Sequence, residues 1–273
     1  MSAVSLPLHL LAAASLLPAA LALLLRPVER AAGRDAIYWG LLLLGAAGPI
    51  GLSVALLGGG WRAGFGISLW VTAAGAITVF AIIAAIEPTA RRLILLLAPY
   101  LALLGLIATV WAETEQAGPA IGRDARDPWL TLHIVISVAA YSVISLSAIA
   151  ALSTILQERA LKRRTPSRLT RRLPAAADAE ALEHRLLFAA ELLLGLGLLT
   201  GMGALMAQTG RIFVVDHKTM LTLVAFAAIA GLLWARARLG LRGRKAAHYV
   251  LLAYLLITLG FPGVKFVTDV LIR

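Results

Sequence analysis

Long apolar runs separated by short polar segments dominate the chain. A helix needs about 20 apolar residues to cross a bilayer, and eight stretches of roughly that length occur in the sequence. They cover Ser5–Leu25, Ile37–Leu57, Phe65–Ile86, Leu93–Trp111, Leu130–Leu156, Leu186–Met206, Thr219–Trp234 and His248–Val270. This pattern predicts an all-α polytopic membrane bundle of about eight spans, which together form a single transmembrane domain over residues 1–273.

Composition supports the same class and excludes several site types. Hydrophobic residues make up 60% of the chain and charged residues 14%, whereas roughly a quarter of the residues of a soluble domain are charged. The sequence has no cysteine. Disulfides, thiolate metal sites and the CxxCH attachment of covalent haem are therefore excluded.

The net charge of +11 follows from membrane topology and does not require a nucleic-acid partner. Of the 25 Lys and Arg residues, 18 fall in the first, third, fifth and seventh predicted loops, and five fall in the second, fourth and sixth. Basic residues concentrate in cytoplasmic loops, where they meet anionic headgroups. We therefore expect the odd loops in the cytoplasm, both termini outside and the lipid bilayer as the main partner.

One polar stripe interrupts the fifth predicted span. His133, Ser137, Tyr141 and Ser145 recur every four residues within the run from Trp129 to Lys162. On a helix, residues four apart share a face. Polar side chains cost free energy against lipid tails, so this face is expected to contact other helices or a cavity.

Two of the five histidines share the predicted outer membrane surface. His133 lies one turn inside the fifth span, and His217 lies where the sixth loop enters the seventh span. Imidazole is a common axial ligand of haem iron, and a porphyrin needs an apolar cleft between helices. The two residues are candidates for a bis-imidazole haem site. The alternative is that each is an interfacial side chain bonded to the backbone or to a headgroup.

Two other ionisable residues in or near the spans each allow more than one interpretation. Glu191 is the one carboxylate well inside a predicted span, which indicates either proton or ion handling or a pair within the bundle. Lys265 can extend to the outer surface and meet a haem propionate or a lipid phosphate. We expect His9 near the outer face, and His184 and His248 near the inner face, to be structural.

The fifth loop, residues 157–184, is the one long inner connection. It is rich in arginine and contains Pro166 and Pro174, and its last part predicts a short surface helix starting near Ala175. Two interpretations are open for this loop. It is either a solvated basic segment that touches lipid headgroups or a docking site for a cytoplasmic partner.

The residues from Leu132 onward, LHIVISVAAYSVISLSAIAALSTILQERALK, resemble the histidine-bearing helix of the cytochrome c assembly protein family. The segment GLLTGM and the stretch from Asp216, DHKTMLTLVAFAAIAGLLWARARLGLRGRKAAHYVLLAYLLITLGFPGVKF, fit the same family. The resemblance covers residues 129–273 as a helical core and is closest to the shorter HemX- and YpjD-like members of the CcsA/CcmC-like family. Residues 1–128 supply four N-terminal helices that match only in being apolar.

The resemblance implies site residues. His133 takes the place of the family's first external haem-ligand histidine, and Asp216 and Lys218 take the end of its haem-handling segment. The loop QTGRIFVVDHKT lacks the tryptophans of that segment. The implied role is therefore haem binding, haem regulation or assembly, without delivery of haem to an apocytochrome.

These observations lead to one expected function. We expect a haem-binding or haem-sensing protein of the bacterial inner membrane, with a role in cytochrome c assembly or haem homeostasis and with other proteins of those pathways as partners. Non-covalent haem b would lie at the outer leaflet, without catalytic turnover. Five residues are candidates for binding it: His133 and His217 as iron ligands, Lys218 and Lys265 at the propionates, and Tyr141 on the stripe of His133.

Two alternatives use other features of the chain. The first is a non-haem accessory or scaffold protein that docks a partner through residues 157–184. The second is a small-solute or ion transporter that uses Glu191.

Overall fold

The computed structural model describes residues 6–25, 36–57, 64–115, 128–212, 216–263 and 266–267. Within these ranges the regular structure is helical. The helices are α1 (Leu6–Ser15), α2 (Leu17–Leu25), α3 (Ala36–Leu57), α4 (Phe65–Ile86), α5 (Ile94–Glu115), α6 (Pro128–Arg163), α7 (Ala176–Thr209), α8 (His217–Leu239) and α9 (Gly243–Thr258). A 3-10 turn, Pro88–Leu93, leads into α5, and a π turn, Leu259–Gly263, follows α9.

The prediction of an all-α multi-pass membrane bundle is confirmed. Seven helices in the described part of the chain, α3 to α9, are long and apolar enough to cross a membrane. The first predicted span is not a single helix, because it is divided at Leu16 into α1 and α2. Pro18 explains the break: it has no N–H to donate, and its ring clashes with the carbonyl oxygen four residues earlier.

Helix α1 packs closely on α3 and into the interior. A Cβ atom added to Gly48 would lie 2.1 Å from Ser15 Oγ and 3.0 Å from Ala12 Cα, so only glycine permits this approach. His9 is completely buried, and its Nδ1 accepts a hydrogen bond of 3.0 Å from Trp70 Nε1 on α4. The burial of His9 and its contact with Trp70 agree with the expected structural role.

Helix α6 is the centre of the C-terminal part. It packs along α7 and also contacts α4 and α9, and its residues from Ala140 to Ala151 are all buried. At 1.5 Å per residue its 36 residues extend about 54 Å. The hydrocarbon core is only about 30 Å thick, so α6 projects beyond the bilayer.

The inner connection is shorter than predicted. Because α6 continues to Arg163 and α7 begins at Ala176, the connection is reduced from residues 157–184 to residues 164–175. The predicted surface helix does start near Ala175, but it is the first part of α7 and continues without interruption into the predicted span Leu186–Met206. Alanine- and leucine-rich sequence on both sides of the expected boundary favours one helix.

The connection is fixed to the rest of the fold. Gln157 Nε2 donates hydrogen bonds of 2.8 Å to the carbonyl oxygens of Thr170 and Pro174. The guanidinium of Arg172 donates to the carbonyl oxygen of Leu23 near the end of α2. Residues 164–175 therefore form an ordered segment that ties α2 to α6.

Carboxylates of α6 and α7 hold the start of α9. The backbone N–H of Gly243 donates to Glu180 Oε1 at 2.7 Å, and that of Arg244 donates to Glu158 Oε1 at 3.0 Å. The first amides of a helix have no partner within the helix and carry partial positive charge. Two acids from other helices thus serve as caps for α9.

A buried ion pair joins α7 to α8 at the same end. Glu183 pairs with Arg236, and their side chains are 0% and 7% exposed. The carbonyl oxygen of Glu183 accepts a hydrogen bond of 3.1 Å from Ser147 of α6. This end of the bundle, the one predicted to face the cytoplasm, is therefore crosslinked by polar contacts among four helices.

Candidate functional site

His133 lies against α7, in a notch left by the missing side chain of Gly201. Its Nδ1 is 3.0 Å from the carbonyl oxygen of Gly197. A Cβ atom added to Gly201 would lie 3.0 Å from His133 Cε1 and 3.2 Å from Nδ1. A larger residue at Gly201 would displace the ring, so the glycines define where the imidazole sits.

The hydrogen bond to Gly197 determines the tautomer of His133. A carbonyl oxygen can only accept, so the proton of neutral His133 is on Nδ1 and the lone pair is on Nε2. Metal-binding histidines commonly donate their other ring N–H to a backbone carbonyl, which fixes the ring and makes it more basic. The imidazole is half-buried, next to Thr200 at 3.4 Å. His133 is thus oriented on α7 through Nδ1, and its role as an iron ligand stays a prediction.

Trp129 extends this contact by one turn towards the end of the bundle. A Cβ atom added to Gly203 would lie 2.9 Å from Trp129 Cε3, so the indole also rests on a glycine of α7. The indole remains about half exposed. The apolar pattern did not identify these supporting residues. The glycine-rich run GLGLLTGMG was the available signal, because small residues mark close contact between membrane helices.

His217 is the first residue of α8 and is exposed. Asp216 caps this helix, with Oδ1 accepting from the N–H of Thr219 at 2.6 Å. Helix α8 packs against α7 and α9 and has no extensive contact with α6 among the described residues. The structure therefore does not bring His217 beside His133, and a shared haem between them stays a prediction.

The two lysines expected at haem propionates also remain predictions. Lys218 follows His217 in the first turn of α8. Lys265 falls outside the residues that the structure describes.

Tyr141 belongs to a hydroxyl network among three helices. Its hydroxyl lies 3.1 Å from Thr258 Oγ1 and 3.3 Å from the hydroxyl of Tyr254 on α9, which in turn bonds to Tyr100 of α5. The prediction that the polar stripe of α6 faces other helices is thus confirmed. Along the stripe, His133 contacts α7 and Tyr141 contacts α9. A contact of Tyr141 with haem stays a prediction.

Glu191 is a buried acid on α7. The residue is 9% exposed, and neither carboxyl oxygen has a hydrogen-bond partner among the described residues. It lies between the level of Glu183, which contacts Ser147, and the level of Gly197, which contacts His133. An unpaired carboxylate is costly to bury, and proton or ion handling by Glu191 stays a prediction.

Comparisons with known proteins agree with the sequence pattern. Residues 60–272 match the family described as Cytochrome C assembly protein. An uncharacterized 28.8 kDa protein in a nifR3-like 5' region of Azospirillum brasilense is 45% identical over 244 residues, which is 89% of each chain. Protein HemX of Brevibacillus brevis is 29% identical over 134 residues, 49% of each chain. No solved structure matches.

The match to the family model begins at residue 60 and so includes α4 and α5, ahead of the core that starts at Trp129. It covers His133, the glycines of α7 and the ion pair at the other end of the bundle. The chain belongs to the cytochrome c assembly protein family.

Proposed function

We propose that this protein binds haem b non-covalently at the outer leaflet of a bacterial inner membrane, with His133 as an axial ligand. In this proposal it acts in cytochrome c assembly or in haem homeostasis, together with other proteins of those pathways, and it catalyses no reaction of its own. Family membership supports the role in cytochrome c biogenesis.

The proposal rests on the position in which α7 holds the imidazole of His133. The hydrogen bond between Nδ1 and the carbonyl oxygen of Gly197 orients the imidazole against α7. The missing side chain of Gly201 leaves the space in which the ring lies. A ligand that is held in advance loses less conformational freedom when it binds.

One exposed apolar side chain shares the face of His133 on α6. Trp129 lies four residues earlier and is about half exposed. Its indole would offer apolar surface to a macrocycle at the edge of the bundle. Bound haem would supply an iron centre whose properties depend on its axial ligands. The chain itself would hold and orient one imidazole and exclude water from that side.

Optical spectroscopy tests this proposal. We expect the purified protein, as isolated or after haem addition, to show a Soret band of histidine-ligated haem that His133→Ala removes. His248→Ala, an exposed histidine near the opposite end of the bundle, is the matched control and should leave the spectrum unchanged. His217→Ala tests the second ligand, because its loss should convert a six-coordinate spectrum to a five-coordinate one. A wild-type protein that takes up no haem would contradict the proposal.

Glu191 supports a second candidate, proton or ion movement through the bundle. A buried carboxyl group without a partner among the described residues is unusual inside a membrane span. Proteoliposomes with an entrapped pH dye would test it. Proton flux that survives His133→Ala but is lost in Glu191→Gln would favour this candidate, and flux equal to that of empty liposomes would exclude it.

A further inference from the structure

A cavity of about 570 Å³ lies between α7 and the turn that joins α8 to α9. Glu180 and His184 line it from α7, and Arg236 and Arg242 line it from the other side. Its volume falls in the range of small-molecule sites, roughly 300–1,000 Å³. It lies far along α7 from the histidine notch, at the end that carries most of the basic residues.

The cavity wall presents charges of both signs. Two guanidinium groups oppose the carboxylate of Glu180, and the carboxylate of Glu183 lies directly behind Arg236. Two atoms of this buried pair, Glu183 Oε2 and Arg236 Nε, have no hydrogen-bond partner among the described residues. The site therefore suits a ligand that has both an anionic acceptor and a cationic donor.

The cavity lies next to the start of an exposed apolar stripe on α7. From His184, the exposed face of α7 continues through four large side chains at helical spacing, each between 48% and 65% exposed: Phe188, Leu192, Leu196 and Leu199. In a membrane such a face contacts lipid tails. Arg236 and Arg238 in the last turn of α8 mark the level of the cytoplasmic headgroups.

We propose that this cavity binds the headgroup of a zwitterionic phospholipid that carries a primary amine, a phosphoethanolamine lipid of the cytoplasmic leaflet. The phosphate contacts Arg242, beside the buried pair of Arg236 and Glu183, and the ammonium group donates to Glu180. One acyl chain follows the stripe of α7 from Phe188. This site is independent of haem.

The chemistry distinguishes this lipid from two related ones. A phosphocholine headgroup has the same phosphate, but its quaternary ammonium has no N–H to donate to a carboxylate. A phosphoglycerol headgroup has the phosphate and no cation. A charge-assisted hydrogen bond is stronger than a neutral one, so the ethanolamine lipid is expected to bind at least about tenfold more tightly than a choline lipid with the same chains.

Native mass spectrometry of the delipidated full chain in detergent tests the proposal. The protein is titrated with phosphoethanolamine, phosphocholine and phosphoglycerol lipids that have identical acyl chains. The Glu180→Gln variant keeps an amide oxygen for the N–H of Gly243 but loses the charge, so it should bind ethanolamine and choline lipids equally. Arg238→Gln, an exposed arginine at the same level that does not line the cavity, is the matched control and should keep the preference.

The wild-type comparison decides the matter without any variant. Equal binding of the ethanolamine and choline lipids by the wild-type chain would overturn the proposal, as would tighter binding of the phosphoglycerol lipid. A preference that persists in Glu180→Gln, in protein whose helix content by circular dichroism is unchanged, would also overturn it.

Discussion

The two ends of the α6–α7 pair are built differently. At the predicted cytoplasmic end, the buried ion pair of Glu183 and Arg236 and the capping carboxylates of Glu158 and Glu180 join four helices. At the other end, a single imidazole, that of His133, rests in a glycine notch and remains half-buried.

The difference separates two tasks within one helix pair. Charges that are paired and buried hold helices in register, because losing either partner leaves an uncompensated charge. A ring that is oriented by one hydrogen bond and left partly accessible can still bind a ligand. We infer that the end predicted to face the cytoplasm mainly maintains the bundle and that the histidine end is the more accessible to a ligand.

The largest effect is expected from breaking the buried pair. Arg236→Ala leaves the carboxyl group of Glu183 buried without its partner, and we expect the free energy of unfolding to fall by about 3–5 kcal/mol. Reversible denaturation in mixed micelles, followed by circular dichroism, measures it. Arg185→Ala is the control: Arg185 pairs with Glu87 at 3.1 Å, but its side chain is 70% exposed. Its loss should cost about 0–1 kcal/mol, and equal losses in both variants would refute the distinction.

A smaller effect is expected from releasing the inner connection. Gln157→Leu removes both hydrogen bonds to the carbonyl oxygens of Thr170 and Pro174, which costs about 1–3 kcal/mol locally. Trypsin should then cut at Arg168 and Arg171 about tenfold faster, because cleavage follows local opening. Gln208→Leu, at an exposed position near the other end of α7, should leave the cleavage rate unchanged. An unaltered rate in Gln157→Leu would mean that this glutamine does not secure the segment.

The next effect is expected on haem affinity when the notch at Gly201 is filled. Gly201→Ala places a methyl group 3.0 Å from His133 Cε1 and should tilt the ring. We expect haem affinity to fall about tenfold, equivalent to roughly 1.4 kcal/mol, as measured by spectrophotometric titration. Gly231→Ala on α8, where an added Cβ meets nothing within 4 Å, is the control. Affinity that is unchanged by Gly201→Ala would show that the notch does not position the ligand.

The smallest effect on stability is expected at His217. It is exposed at the start of α8, so His217→Ala should change the free energy of unfolding by less than about 0.5 kcal/mol. The same denaturation assay measures it. A loss as large as that of Arg236→Ala would show that the histidine end is also needed to hold the bundle together, and the comparison of the two ends would fail.

Several features followed from the sequence alone. The spans could be predicted because a backbone in lipid must satisfy its hydrogen bonds internally, which requires apolar helices of about 20 residues. The cap of α8 is also local, because Asp216 accepts from Thr219 three residues further on. The break after α1 was not predicted, since the apolar pattern gave one span over Ser5–Leu25, although Pro18 was a local signal for it. His133 stood out as a polar residue on a membrane-length run and through the resemblance to a family.

Only the tertiary structure decided which distant residues meet. The seat of His133 on Gly197 and Gly201, and the pairing of Glu183 with Arg236, depend on which helices are neighbours and on how far each is shifted along its axis. Membrane helices are apolar on most faces, so the periodicity that identifies a buried face in a soluble protein says little about helix neighbours. The physical reason is that lipid tails and protein interiors are equally apolar. The sequence pattern therefore determines where a helix crosses the membrane, and packing determines which side chains it brings together.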